Sequence, residues 1–257
     1  MPARDLSLLI DAARAAGEVA RSFTGPTARR WDKADDAGPV TEADLAVNDL
    51  LETQLRGARS DYGWLSEESA DEPARLNADR TFIVDPIDGT RSFIEGSRAW
   101  AHALAVVEHG VATAAVVYLP MMDKLYAAAV GEGATLNGAP IRVSAQAGAE
   151  GATLLAARPL MDAKHWRGVV PGFQRAHRPS LAYRLSLVAE GRFDAMLTLR
   201  RTWEWDVAAG DLILREAGAL TSDRRGGALR FNNAVPQVDG MVAANPTLHG
   251  ILTGALA

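Results

Sequence analysis

Two aspartates three residues apart, Asp85 and Asp88, end an apolar run and open a turn in the segment Thr81-Phe-Ile-Val-Asp-Pro-Ile-Asp-Gly-Thr90. Carboxylates delivered together at a strand end repel one another unless a cation lies between them. Pro86 biases Asp85 toward extended backbone, and Gly89 lets a ligand approach the main chain closely. An Asp-x-x-Asp pair also caps turns and helices, so the pair by itself leaves both readings open. Its company favours chemistry. Glu67 and Glu68 stand side by side in Trp64-Leu-Ser-Glu-Glu-Ser69, and Asp206 sits at a helix start in Trp203-Glu-Trp-Asp-Val-Ala-Ala-Gly-Asp211. Hard oxygen donors from separated segments, with no histidine or cysteine close by, are the set that Mg2+ prefers.

These residues need elements to position them. A first amphipathic helix is expected over residues 6–23, followed by a loop rich in glycine, proline and charge over 25–39. A second helix should begin at Thr41, with Asp44 three residues on in a capping-box position; Val47, Leu50, Leu51 and Leu55 give it an apolar stripe. From Thr81 the pattern turns to short β-rich runs, at 81–84, 100–108, 111–118 and 124–130. Their links are too short for parallel crossovers, so they pair antiparallel. A second batch follows: strands near 153–156, 195–199 and 240–244, and helices near 180–190 and 206–217. This reads as an α+β protein in two halves, residues 1–145 with most of the metal ligands and 146–257 completing the pocket.

Composition narrows the function classes. The 257 residues are 48% hydrophobic and 23% charged, which is globular rather than disordered. With 27 basic against 32 acidic residues the net charge is −5, an unfavourable balance for gripping a nucleic acid polymer. The absence of cysteine excludes disulfides, thiolate metal sites and cysteine nucleophiles. Asp5, Asp11, Arg14 and Glu18 interrupt the N-terminal apolar stretch, which therefore reads as a helix and not a signal peptide. No apolar run reaches the roughly 20 residues of a membrane span. A cytoplasmic protein with no membrane partner is expected.

Glu67-Glu68, Asp85-Pro-Ile-Asp-Gly-Thr90 and Trp205-Asp-Val-Ala-Ala-Gly210 closely resemble, in order, the paired signatures of the inositol monophosphatase family of Mg2+-dependent, lithium-sensitive phosphatases. The resemblance runs over nearly the whole chain. It implies a layered αβαβα sandwich with two mainly antiparallel sheets, two or three Mg2+ per site, and a homodimer. Glu67, Asp85 and the Ile87 carbonyl would hold the ion that activates water; Asp85, Asp88 and Asp206 would hold the one at the leaving oxygen. Thr90 and Asp44 resemble the dyad that orients that water, and Asp88 with the N–H groups of Gly89 and Thr90 would face the phosphate. Read without the family, Asp44 is equally a cap, and Asp206 an ordinary first-turn acid. Glu68, Trp100, Trp203, Trp205 and the five histidines receive no catalytic role.

Residues around the signatures bear on the substrate. Arg91-Ser-Phe-Ile resembles the run found in bacterial bisphosphate nucleotidases, and Leu199 stands where inositol-type enzymes carry a glutamate that reads hydroxyls. Arg158 and Arg184 fall where those nucleotidases tend to place basic residues, and Arg200 and Arg201 precede the second signature; a guanidinium suits a second phosphate, and Arg184 is the residue expected to bind substrate. The expectation is a 3′(2′),5′-bisphosphate nucleotidase acting on a small phosphorylated substrate. Inositol-1-phosphate or another sugar phosphate is the alternative, and a metal-binding protein without turnover is the non-enzymatic one. The haloacid dehalogenase pattern does not fit, since its aspartates are two residues apart and near the N-terminus.

Overall fold

The computed structural model describes residues 2–23, 25–33 and 38–257. Helix α1 (Pro2–Ser22) packs beside α2 (Glu42–Ala58), and between them β1 (Arg30–Asp32) pairs antiparallel with β2 (Pro39–Thr41). Next come β3 (Gly63–Ser66), β4 (Arg80–Asp88), the short helix α3 (Thr90–Ile94), β5 (Ala101–Glu108), β6 (Val111–Leu119), β7 (Lys124–Ala129), β8 (Gly133–Leu136) and β9 (Ala139–Pro140). The seven strands β3 to β9 form one sheet in sequence order, parallel at β3–β4 and antiparallel thereafter. The rest of the chain supplies β10 (Thr153–Ala156), β11 (Gln174–Ala176), α4 (Leu181–Ala189), β12 (Ala195–Trp203), α5 (Glu204–Glu216), β13 (Leu220–Ser222), β14 (Gln237–Ala244) and α6 (Pro246–Ala255). Its five strands are ordered β11-β10-β12-β14-β13.

Side-chain alternation along the strands builds the layers. Phe82, Val84, Leu104, Val106 and Val116 face α1 and α2, whereas Ile83, Ala103, Ala105 and Val117 face the opposite way into a cluster with Leu185, Leu212 and Ile213 of α4 and α5. That middle cluster also takes Leu155, Met196 and Met241 from the second sheet, whose other face, with Leu154, Leu197 and Val242, packs on Leu248 and Leu252 of α6. Helix, sheet, helix, sheet, helix is the resulting order. Because the large sheet is covered on both faces, its strands read as continuous apolar runs.

Two details depart from expectation. The smaller sheet is evenly mixed: β10 pairs parallel with both β11 and β12, while β14 pairs antiparallel with β12 and β13. Helix α4 provides the crossover length that a parallel return requires. The segment before Glu67, where no strand is expected, holds β3, a four-residue edge strand too short to show a period. No helix among the described residues is long and apolar enough to cross a membrane.

Candidate metal centre and active site

The acidic turn is built by a defect in the sheet. The β4–β5 ladder matches Asp85 to Ala103 and Asp88 to Ala101, so one extra residue bulges from β4 between the two aspartates. Such bulges re-aim side chains. Pro86 has no N–H to lose from the ladder, and Gly89 supplies the left-handed backbone (φ 101°) that turns the chain into α3. Asp206 arrives from the first turn of α5. One carboxylate oxygen each from Asp85, Asp88 and Asp206 lie within 4.8 Å of one another.

Three acids this close in a buried place hold their protons more tightly than usual. Burial, then Glu67 and Asp88, push Asp85 well above the ordinary carboxylate range; burial, then Asp88 and Glu67, do the same to Asp206. Asp88 is pushed up to about 6 by burial, with hydrogen bonds opposing the shift. Ser180 Oγ and the Ala182 backbone N–H donate to its Oδ2 at 2.7 and 2.6 Å. By contrast, Asp85 Oδ1 is buried with no hydrogen-bond donor among the described residues.

The two carboxylate oxygens of Asp44 serve different partners. Its Oδ2 accepts from the Thr41 N–H (2.8 Å) and hydroxyl (2.5 Å), completing the capping box of α2. Its Oδ1 accepts from Thr90 Oγ1 at 3.2 Å, and the same hydroxyl lies 3.2 Å from the Ile87 carbonyl oxygen. A single hydroxyl proton can serve only one of these acceptors at a time. Burial raises the Asp44 pKa against its Thr41 hydrogen bonds.

Glu67 is not among the three converging acids, although its charge acts on each of them. Lys33 Nζ donates to Glu67 Oε1 at 2.9 Å and to Glu68 Oε1 at 2.6 Å, tying the β1–β2 segment to the acidic side chains. Burial pushes Glu68 up to about 7 despite the lysine. Glu67, Asp88, Thr90 and Asp206 line a cleft of about 750 Å³.

Cations line the same cleft. Arg91, Arg184, Arg200 and His177 line it, as do Leu197 and Leu199, while Arg158 and Arg201 are absent from the lining. Arg184 donates to the Arg178 carbonyl and to His177 Nε2, so that imidazole accepts and is neutral at that nitrogen. Burial and the neighbouring arginines, Arg184 first, lower the His177 pKa. Trp203 and Trp205 stack on each other (4.7 Å, 8°) and Trp100 packs edge-on to Phe93, none of them in the cleft lining. Lys33, Ser180 and His177 have no local mark in the sequence that would have singled them out.

The model of the inositol monophosphatase family matches residues 2–257. An inositol-1-monophosphatase of Rhizobium meliloti is 34% identical over 238 residues, 86% of each chain. A histidinol-phosphatase of Chlorobaculum parvum is 30% identical over 264 residues, covering 98% of this chain and 96% of its own. The crystal structure of the extragenic suppressor protein suhB from Bartonella henselae superposes with a TM-score of 0.82 at 29% identity, over 98% of this chain and 97% of that one.

Proposed function

The chain belongs to the inositol monophosphatase family, and from that premise we propose that it is a Mg2+-dependent phosphomonoesterase whose substrate carries a second anionic group, a 3′(2′),5′-nucleoside bisphosphate. The donors suit the ion. They are hard oxygens, three of them converge, and Asp85 Oδ1 is buried without a protein donor. Asp85, Asp88 and Asp206 would hold it, with Glu67 and the Ile87 carbonyl serving a second position. Bound there, Mg2+ supplies charge against the attacking and leaving oxygens and lowers the pKa of a water.

The chain's own groups do the rest. Asp44 Oδ1 and the Ile87 carbonyl fix the Thr90 hydroxyl, which aims the attacking water. Asp44, its proton affinity raised by burial, is the sink for the proton that water gives up through Thr90. The N–H groups of Gly89 and Thr90 face the phosphate oxygens. Glu67, which accepts from Lys33 Nζ at 2.9 Å, adds negative charge beside Asp85.

The observation that carries the substrate class is the set of arginines lining the cleft beside the carboxylates. Arg184 and Arg200 line it, and neither is ion-paired among the described residues. Guanidinium groups bind a second phosphate through two oxygens at once, whereas Leu199 offers a polyol no hydrogen bond. Phosphate release should be measured with Mg2+ on adenosine 3′,5′-bisphosphate, inositol 1-phosphate and histidinol phosphate, each with and without lithium. A preference of about tenfold or more in kcat/KM for the bisphosphate is expected, the worth of one well-placed charged hydrogen bond. Preference for inositol 1-phosphate would overturn the Leu199 argument. A homodimer belongs to the same reading and is checked by light scattering.

A further inference from the structure

The strand beside the acidic turn carries a histidine that the proposed reaction does not use. His102 lies on β5, fully buried, with its ring edge-on to Trp100 (5.5 Å between centroids) and tilted against Tyr118 (6.4 Å). Its Nδ1 is in short contact with the Pro86 carbonyl oxygen, and its Nε2 has no hydrogen-bond partner among the described residues. Burial pushes the imidazole down to about 4, with Arg21 adding to the shift. A neutral ring whose Nδ1 faces a carbonyl carries its proton there and donates it. Filling a gap between aromatic rings would be done better by an apolar side chain, since a histidine leaves a buried acceptor without a donor. The donor at Nδ1 is the reason for a histidine here.

What that donor holds is the bulge. Pro86 lies between Asp85 and Asp88, where the β4–β5 register shifts and the ladder no longer serves the backbone. A buried carbonyl left over at such a place needs a partner, and the peptide unit it belongs to sets the direction in which Asp85, the Ile87 carbonyl and Asp88 leave the strand. We infer that His102 is a positioning residue, whose Nδ1–H clamps the Pro86 carbonyl and keeps the bulge in the shape that gathers the three carboxylates. The inference rests on those carboxylates being the Mg2+ ligands. Partners that orient ligands from behind change metal affinity by about 10–100-fold when removed.

Three variants test it. His102→Asn puts an amide N–H near the position of Nδ1, His102→Gln puts it one bond farther away, and His102→Leu removes it. Two readings are taken for each: the Mg2+ concentration giving half of the thermal stabilisation without substrate, and kcat and KM at saturating Mg2+. His102→Leu and His102→Gln should raise the half-saturating Mg2+ concentration about tenfold or more and lower kcat while KM changes little; His102→Asn should stay close to wild type. If His102→Leu does not fold, the Asn and Gln pair decides. Variants that melt lower without metal but bind Mg2+ as wild type does would overturn the positioning role and leave the metal site standing. His102→Asn as defective as His102→Gln would overturn the donor argument. A wild-type protein that Mg2+ fails to stabilise would sink the ligand assignment itself, and the inference with it.

Discussion

Replacing Asp88 by asparagine should make the metal-free protein more stable while ending its activity. The carboxylate is buried beside Asp85, Asp206 and Glu67, and its pKa is about 6 against an ordinary 3.8. A group whose folded pKa is raised contributes stability that is fully present below its unfolded pKa and is lost as pH rises through the folded value. For Asp88 that window is roughly pH 4 to 6. Above it, the ionised side chain lowers the stability of the fold by about 3 kcal/mol, because each tenfold gain in proton affinity on folding corresponds to about 1.4 kcal/mol. Asparagine removes the charge and keeps an oxygen for the Ser180 hydroxyl and the Ala182 N–H, which donate to Asp88 Oδ2 at 2.7 and 2.6 Å. In a chain of this length each kcal/mol moves Tm by about 2–4 °C, so Asp88→Asn in EDTA at pH 7.5 should melt roughly 6–12 °C higher than wild type. The gap should close toward pH 4. Calorimetry with EDTA and then with Mg2+ reads both halves of the argument: Mg2+ should raise the wild-type Tm steeply and the variant's much less. A variant less stable than wild type in EDTA at pH 7.5, or one gaining as much from Mg2+, would refute the reading of these carboxylates as a repulsive cluster that a cation relieves.

Other expectations follow from single contacts. Thr90→Val removes the hydroxyl held by Asp44 and Ile87 and should lower kcat by about 10²–10³ with little change in KM, as loss of a water-orienting group does; an unchanged kcat would dismiss the dyad. Arg184→Ala should raise KM for adenosine 3′,5′-bisphosphate about tenfold and leave inositol 1-phosphate hydrolysis alone, and equal losses on both would tie Arg184 to the scissile phosphate instead. A Cβ on Gly210 would sit 2.4 Å from Leu185 Cδ1 and 2.7 Å from its Cβ. Gly210→Ala should therefore cost about 1–3 kcal/mol by overpacking α4 against α5, and a neutral result in urea titration would show that the helices can part. Buried His102 has its pKa lowered from 6.5 to about 4, so its contribution is present above 6.5 and is lost as pH falls through 4; acid unfolding of His102→Asn should lack that slope.

How far the fold could be read from the sequence depended on whether each signal was local. The capping box of α2 needs only Thr41 and Asp44, and it formed as expected. The run from Thr81 was recognisable because a strand covered on both faces is continuously apolar, and β4 extends it to Asp88. β3 was missed for the opposite reason: as a four-residue edge strand beside a turn, it gains its identity only from pairing with β4. The parallel pairs of the second sheet were likewise invisible, since they depend on where the chain returns after α4 and not on what any strand contains.

The site divides along the same line. Asp85, Asp88 and Asp206 stand at element ends, where a charged residue contradicts the apolar run next to it, and that local conflict made them legible. The groups that govern those carboxylates have no such mark. Ser180 and Ala182 reach Asp88 across 92 and 94 residues, Lys33 reaches Glu67 across 34, and His102 reaches the Pro86 carbonyl across 16 from the neighbouring strand. Each is an ordinary residue until the sheet folds. Asp44 shows that a structural and a chemical reading need not compete: a carboxylate has two oxygens, and here one closes a helix while the other accepts from the Thr90 hydroxyl. The helix cap fixes the carboxylate in place, so under the proposed mechanism the acid that faces Thr90 would have little orientational freedom left to lose, which is what positioning in catalysis requires.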